Sequence, residues 1–225
     1  MENQKIIPIE LGIITVFLIA GKKLALVDTG IGNASVTIVD RINNLGFNIS
    51  DISLIIITHG HADHYDCASE LKNITGAPVL AHKLDAGYIM NGSNPEIKTT
   101  RKLRKWAVDN IINPATNMKA RPVIPDIIID DNFNLEKFGI NGKIIPTPGH
   151  TEGSISILLS NSEVIVGDLI MSSIVFKSKP SIPLYANDLF QLKESIKKII
   201  ELNPSIIHTS HGGPFFPEQI IDLIN

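Results

Sequence analysis

The chain has 225 residues and a formal net charge of −3, with 44% hydrophobic and 19% charged residues. This length suits one sizeable hydrophobic core, and the composition excludes the disordered and strongly polybasic classes, so bulk charge gives no reason to expect nucleic-acid binding. The lone Cys67 excludes an internal disulfide, and the N-terminus lacks the basic-then-apolar layout of a secretory signal. The longest strongly apolar stretch, residues 11–20, falls short of the roughly 20 residues that a membrane-spanning helix needs. We expect one cytoplasmic domain over residues 1–225, with no nucleic-acid or membrane partner.

The first half of the chain alternates predicted strands and helices. Two β-rich runs surround a Gly-Lys-Lys turn within residues 13–30, which predicts a hairpin followed by a loop that bears Asp28. Apolar residues at helical spacing then predict a helix over 36–45, with Asn33 or Ser35 as its cap. The pattern next predicts a strand over 54–58, a helix over 66–73 and a strand over 77–82. This order of elements indicates an α/β layered core.

The second half repeats this organisation after an irregular segment. Residues 84–125 are interpreted as an insertion, with one helix that begins near Pro95. Two hairpins are predicted after it, one over 134–147 with an Asn-Gly turn and one over 154–168 with a Ser-Asn turn. A helix over 187–202, a strand over 205–210 and a short terminal helix complete the chain. Both halves therefore contain a hairpin that ends in a loop with an aspartate.

The segment 58–64 reads "THGHADH" and directly follows a predicted strand. Imidazoles and carboxylates are the usual ligands of zinc and similar divalent ions where cysteine is absent. His59 and His61 are two residues apart, so on an extended backbone they point to the same side and can share one metal. Asp63 and His64 converge where the chain turns into a helix, and they suit a neighbouring metal. The motif therefore predicts two adjacent metal sites.

Three further candidate ligands follow predicted strands, and each adjoins a glycine. They are His150 after Gly149, Asp168 after Gly167, and His211 before Gly212. Glycine lets the backbone bend tightly, which presenting a ligand at a strand end requires. A negatively charged Asp168 would bridge two cations and offset their repulsion. Seven ligands for two metals leave room for water, unlike a closed structural zinc site.

These motifs together resemble those of the metallo-β-lactamase-fold superfamily of metallohydrolases. Residues 27–30, "VDTG", resemble the first motif of that family, and "THGHADH" resembles its His-x-His-x-Asp-His motif, with the later His, Gly-Asp and His motifs in order. The resemblance implies a four-layer αββα sandwich with two mixed sheets flanked by helices. It also implies two metal sites joined by a bridging Asp168: His59, His61 and His150 at the first, and Asp63, His64 and His211 at the second. A compact glyoxalase-II-like or lactonase-like member fits the length.

The expected activity is that of a binuclear metal-dependent hydrolase. A hydroxide held between two divalent ions would attack a small ester, thioester, lactone or related substrate, with Asp63 orienting it or shuttling its proton. Zinc is the default metal, and iron and manganese are alternatives. A mononuclear iron persulfide dioxygenase is the rival, although two histidines and one aspartate would leave Asp63, His64 and His211 without an obvious role. The partner is a small-molecule substrate, and the oligomeric state is open, with a homodimer as one alternative.

For several other conspicuous residues a structural role is favoured over a functional one. His82 and His208 are expected to pack or to support the site, and Cys67 to act as a small buried hydrophobe. The insertion carries five cations around Trp106, and they form either a solvated helix face or a lid whose pocket Trp106 or Tyr88 lines. The cations are Lys98, Arg101, Lys102, Arg104 and Lys105.

Overall fold

Two mixed β-sheets flanked by helices make up the structure, a computed structural model that describes residues 4–96, 98–100, 117–173 and 178–224. The first sheet consists of β1 (Lys5–Glu10), β2 (Thr15–Ala20), β3 (Leu24–Val27), β4 (Ile52–Ile56), β5 (Val79–His82) and β6 (Ile127–Ile129), side by side in chain order. The first three strands pair antiparallel, and β3 to β6 pair parallel. Parallel pairing brings the carboxyl ends of β3, β4 and β5 to one edge of the sheet.

The second sheet comes from the C-terminal half. It contains β7 (Phe133–Asn134), β8 (Gly142–Pro146), β9 (Ile155–Leu159), β10 (Glu163–Ile165) and β13 (Ile206–His208), in the order β13-β10-β9-β8-β7. Only β10 and β13 pair parallel. Two short strands, β11 (Met171–Ser172) and β12 (Pro180–Ser181), form a separate antiparallel pair.

Six α-helices are present in the described part of the chain. They are α1 (Ala34–Asn44), α2 (Ala62–Tyr65), α3 (Ala68–Thr75), α4 (Lys83–Asn91), α5 (Leu189–Glu201) and α6 (Pro217–Ile220). Asp188 caps α5, because its side chain accepts a hydrogen bond from the backbone N–H of Gln191. None of the helices in these described segments combines the length and the apolar character that crossing a membrane requires.

Three apolar clusters separate the layers. Successive residues of a strand point to opposite faces, so Leu26 packs toward α1 and α3 whereas Val27 packs between the two sheets. In the second sheet, Ile144 faces the first sheet and Ile145 packs against Leu192 of α5. Burying each such side chain contributes roughly 1.5–3 kcal/mol. The layers therefore run helix, sheet, sheet, helix, which confirms the predicted four-layer αββα sandwich.

Several predicted boundaries shift in the N-terminal half. Helix α1 begins at Ala34, so Ser35 lies inside it and donates a hydrogen bond to Glu70, while Asn33 holds the cap position without a side-chain bond. The helix predicted over 66–73 is α3 at Ala68–Thr75, and a separate short helix, α2, precedes it within the metal-ligand motif.

Two other predictions are wrong in part. Within the proposed insertion, residues 84–91 belong to α4, whose Ala86 and Ile89 are buried. Pro95 and the other described residues up to 100 are not helical, and the rest of that predicted helix lies outside the described residues. The Asn-Gly turn is also absent: Gly142 pairs with Leu159 inside β8, and Gly139 ends a 3₁₀ turn instead.

Candidate metal centre

The seven predicted ligand residues converge at one edge of the sandwich, where four strands end. His59 and His61 follow β4, His150 follows β8, and the remaining loops after β10 and β13 bring Asp168 and His211. Asp63 and His64 lie in α2, directly after the β4 loop. The three neighbouring glycines adopt positive φ angles that other residues rarely reach, 133° at Gly149, 56° at Gly167 and 94° at Gly212.

The first ligand group consists of His59, His61 and His150. The Nδ1 atom of His61 lies 3.0 Å from Nε2 of His59 and 3.0 Å from Nε2 of His150. Tetrahedral zinc with bonds of about 2.0–2.1 Å spaces its ligand nitrogens about 3.3–3.4 Å apart. The three imidazoles therefore converge at nearly the spacing that one small cation needs.

The second ligand group consists of Asp63, His64 and His211. Oδ2 of Asp63 lies 3.5 Å from Nε2 of His211 and 3.8 Å from Nε2 of His64. The side chains of Asp63 and His211 are each 19% exposed, whereas His64 is fully buried. This group therefore forms the open side of the cluster.

Asp168 stands between the two groups. Its Oδ2 lies 3.3 Å from Nε2 of His211 and 3.6 Å from Nε2 of His150, and its Oδ1 lies 3.5 Å from Nε2 of His64. Nε2 of His64 and Oδ1 of Asp168 are buried without a hydrogen-bond partner among the described residues. Leaving such atoms unsatisfied is costly, and a divalent cation would satisfy both. The donor set and its geometry thus fit metal ions.

The outward-facing nitrogens of the histidines are held by acceptors. Nδ1 of His150 donates to the carbonyl of Tyr185 at 3.0 Å, and Nδ1 of His211 donates to the carbonyl of Ile13 at 2.7 Å. Such bonds fix the orientation of each ring, so that Nε2 points into the cluster, where it binds metal once it is deprotonated. Both rings are therefore oriented as ligands before any ion binds.

Asp28 likewise accepts hydrogen bonds that orient the loop of residues 58–64. Its carboxylate accepts from Nδ1 of His64 at 2.8 Å and from the backbone N–H and hydroxyl of Thr58, each at 2.8 Å. Thr58 Oγ1 in turn lies 3.1 Å from Nδ1 of His59. Asp28 has φ of 62°, an uncommon conformation at a non-glycine residue that costs about 1–3 kcal/mol. The "VDTG" motif therefore positions two ligands.

Electrostatics divides the two groups. Burial lowers the pKa of all three imidazoles of the first group, and the pKa of His61 falls to about 3. They are neutral at physiological pH, which is the form that binds metal.

In the second group, carboxylates outweigh the effect of burial. Burial lowers the pKa of His64 and His211, but Asp168 and its neighbours raise that of His64 well above its ordinary value and that of His211 to about 10. Burial raises the pKa of both carboxyls, yet the imidazoles hold Asp168 well below its ordinary value and Asp63 at about 2. These carboxylates require positive charge, and a cation that replaces the imidazole protons would supply it.

A small pocket of about 160 Å³ opens over the second group. Its walls are largely apolar, and the lining residues are Ile13, Ile31, His61, Asp63, Asn94, Met118, Tyr185 and His211. The ring of Tyr185 packs 5.7 Å from the ring of His61 and 5.6 Å from that of His150, measured between centroids. Burial and the carboxylates of Asp168 and Asp63 raise the pKa of Tyr185, so its hydroxyl remains a donor.

The residues outside the cluster have the following places. His82 accepts from the backbone N–H of Leu84 at the start of α4, and His208 pairs with Glu163 at 2.7 Å, so both serve the fold as expected. Cys67 is buried, as predicted. Tyr88, which the lid alternative offered together with Trp106 as a pocket residue, lines a different cleft, and Tyr185 lines the pocket over the second group.

The lid hypothesis falls largely on residues that the structure does not describe. Lys98 is described and pairs with Glu96 at 3.2 Å. Arg101, Lys102, Arg104, Lys105 and Trp106 lie outside the described residues. Sequence reasoning gave no role to Tyr185 or Asp85, because neither belongs to a recognisable motif.

Comparison with known proteins agrees with this architecture. Residues 9–211 match the family model described as the metallo-beta-lactamase superfamily. A probable metallo-hydrolase of Methanocaldococcus jannaschii is 30% identical over 200 residues, which cover 87% of this chain and 86% of that protein. A metallo-beta-lactamase family protein from Thermus thermophilus has a TM-score of 0.72 at 20% identity, covering 100% of this chain and 79% of its own. A further fold neighbour, solved in a di-iron-bound form, has a TM-score of 0.67 at 20% identity over 96% of both chains.

Proposed function

Because this chain belongs to the metallo-beta-lactamase superfamily, we propose that it is a binuclear metal-dependent hydrolase of small esters, thioesters or lactones. The observation that carries the proposal is the position of Asp168, whose carboxylate lies within 3.6 Å of histidines from both ligand groups. A single-metal centre would need only one of these groups. The relative from M. jannaschii, named a probable metallo-hydrolase, supports the reaction class.

In this proposal His59, His61 and His150 would hold the first ion, and Asp63, His64 and His211 the second, with Asp168 between them. When bound there, divalent ions would lower the pKa of a water molecule to near neutrality and would polarise a carbonyl oxygen. Zinc suits the imidazole-rich first group, and the di-iron form of one fold neighbour supports iron as an alternative.

Asp63 is the residue that we assign to proton handling. It lies at the pocket, its side chain is 19% exposed, and its pKa of about 2 keeps it ionised at neutral pH. An ionised carboxylate beside the pocket can orient the attacking water and accept its proton. The proton then passes to the leaving group.

The pocket walls favour a small neutral substrate. Ile13, Ile31, Met118 and the ring of Tyr185 offer apolar contact, while the hydroxyl of Tyr185 offers a hydrogen bond. The hydroxyl of Tyr185 stays protonated and donates to a substrate oxygen. A short acyl group or a small lactone ring matches these contacts.

Elemental analysis of protein purified without chelators tests the proposal first. We expect about two divalent ions per chain, and hydrolysis of at least one ester, thioester or lactone in a panel of graded acyl length. Asp63→Asn should lower kcat even at saturating metal, because the amide keeps an oxygen ligand but accepts no proton, and Asp126→Ala, which removes a carboxylate away from the pocket residues, serves as the control. About one iron per chain, with oxygen uptake on a persulfide, would instead identify the mononuclear dioxygenase.

A further inference from the structure

Asp85 is a buried carboxylate outside the seven-residue cluster. It lies in the first turn of α4 and is only 1% exposed. Its Oδ2 accepts from the backbone N–H of Gly60 at 2.7 Å and from the hydroxyl of Thr151 at 2.6 Å, and its Oδ1 accepts from the backbone N–H of Gly153 at 3.0 Å. All three partners are donors, so the ionised carboxylate satisfies them together.

These three donors belong to the two loops that carry the whole first ligand group. Gly60 stands between His59 and His61, and Thr151 directly follows His150. The loops come from different sheets, one after β4 and the other after β8. Asp85 therefore joins, with one side chain, the two segments whose separation decides how far His61 lies from His150.

Both loops fit closely around this carboxylate. A Cβ atom at Gly153 would lie 2.6 Å from Cγ and Oδ1 of Asp85, and one at Gly60 would lie 3.3 Å from its Cβ. Glycine at these two positions is what lets the backbone N–H groups reach the carboxylate. The contact therefore depends both on the carboxylate of Asp85 and on the glycines of the two loops.

We propose that Asp85 is a positioning residue that sets the affinity of the first ligand group for a divalent cation. It touches none of the seven ligand side chains and acts only through the backbones that bear them. Without the carboxylate, the N–H groups of Gly60 and Gly153 lose their acceptor, and the loops relax toward other partners. Nitrogens of His61 and His150 that lie 3.0 Å apart then separate. This inference rests on the proposed function to the extent that the first group binds a metal.

Zinc titration of the full chain in two backgrounds tests the proposal without any substrate. His211→Ala leaves the first group intact, and His150→Ala leaves the second group intact. In the first background, adding Asp85→Ala should weaken zinc binding about tenfold or more, measured by competition with a chromophoric chelator. In the second background it should change the affinity less than twofold. Equal losses in both backgrounds, or no loss in the first, would overturn the proposal.

A milder pair of variants covers the case in which Asp85→Ala fails to fold. In the His211→Ala background, Thr151→Val removes one donor at nearly constant shape, and Thr151→Ser retains the hydroxyl. We expect a severalfold weaker zinc affinity for the valine variant and restoration by serine. A valine variant that binds as tightly as its parent overturns the inference.

Two further comparisons separate this inference from the proposed function. Asp126→Ala also removes a carboxylate that accepts a backbone N–H, that of Val79, and should leave both zinc affinities unchanged. A wild-type chain that binds no zinc, iron or manganese overturns the proposed function and the inference together. Tight zinc binding that is indifferent to Asp85 overturns the inference alone.

Discussion

The two ligand groups lie on either side of Asp168 but differ in burial, in charge and in the residues that hold their loops. The first group contains only imidazoles, each at most 5% exposed, and Asp85 joins the loops that bear them. The second group includes a carboxylate and has two ligands that are 19% exposed beside the pocket. Helix α2, which bears Asp63 and His64, is followed by Asp66, and Asp66 forms an ion pair with the partly exposed Arg121. A buried neutral site and a more exposed charged site therefore face the same pocket.

From this difference we expect the two groups to have different roles in metal binding and turnover. The buried imidazoles have little freedom, so we expect them to hold a cation tightly and to change little during turnover. The exposed group meets water and substrate directly, and its ligands exchange more readily. The following predictions test this division, from the largest expected effect to the smallest.

Removing the residue between the groups should have the largest effect. The carboxylate oxygens of Asp168 lie near histidines of both groups, so Asp168→Ala should weaken metal binding at both. We expect kcat/KM on the best ester of the panel to fall about a thousandfold, because several kcal/mol of charge stabilisation disappear. Full activity with two ions retained would contradict the shared role of this residue, and Asp126→Ala is the control.

Metal removal should next separate the two groups in time. We expect a mild chelator to strip the zinc-loaded chain in two phases, with the exposed group about tenfold faster. His211→Ala should lose the fast phase, and His61→Ala the slow one, as followed by chelator absorbance. If His211→Ala abolishes the slow phase and spares the fast one, the order of the two groups is reversed.

Weakening the surface support of the second group should have a modest effect. Arg121 binds the buried Asp66 at 2.9 Å and Glu70 at 3.1 Å, but its own side chain is 43% exposed. Solvent screening reduces the value of such contacts, so Arg121→Ala should cost about 1 kcal/mol and lower the melting temperature by about 2–4 °C. Thermal unfolding of the metal-free chain measures this change. Lys197→Ala breaks an exposed pair with Glu194 and should cause no shift.

The smallest effect is expected at His82, which also ends a strand of the first sheet. Its Nδ1 caps α4 by accepting from the N–H of Leu84 at 3.3 Å, and asparagine is an equally good cap. His82→Asn should leave zinc stoichiometry unchanged and stability within about 1 kcal/mol of the wild type. Loss of one zinc from this variant would show that the assignment of the ligand groups is incomplete.

Local sequence patterns predicted an α/β layered core and the ligand cluster, and the family resemblance implied the four layers. Alternation along "LALV" places Leu26 and Val27 on opposite faces of a sheet, and this pattern recurs in both halves. The histidine motif was readable because its residues follow a strand within one turn. The zinc identity, the single domain, the lid and the homodimer stay predictions.

Contacts between distant segments could not be predicted in the same way. The Asn-Gly pair at residues 141–142 favours a tight turn by itself, but strand register places Gly142 opposite Leu159. Asp85 reaches partners 25 to 68 residues away in the chain, and no spacing rule indicates which loop will cover a helix turn. Tyr185 was missed for the same reason, because its contact with His150 joins residues 35 positions apart.

The bond between His211 and the carbonyl of Ile13 joins residues 198 positions apart. A second bond, from the N–H of Thr15 to the carbonyl of Ser210, reinforces it at 2.8 Å. The ligands of the first group, by contrast, all lie between residues 59 and 150. In a growing nascent chain the first group, which needs the carbonyl of Tyr185 to orient His150, can therefore assemble before the second, in which His211 must meet Ile13 across 198 residues. Filling of the exposed site would then report that the chain has finished folding.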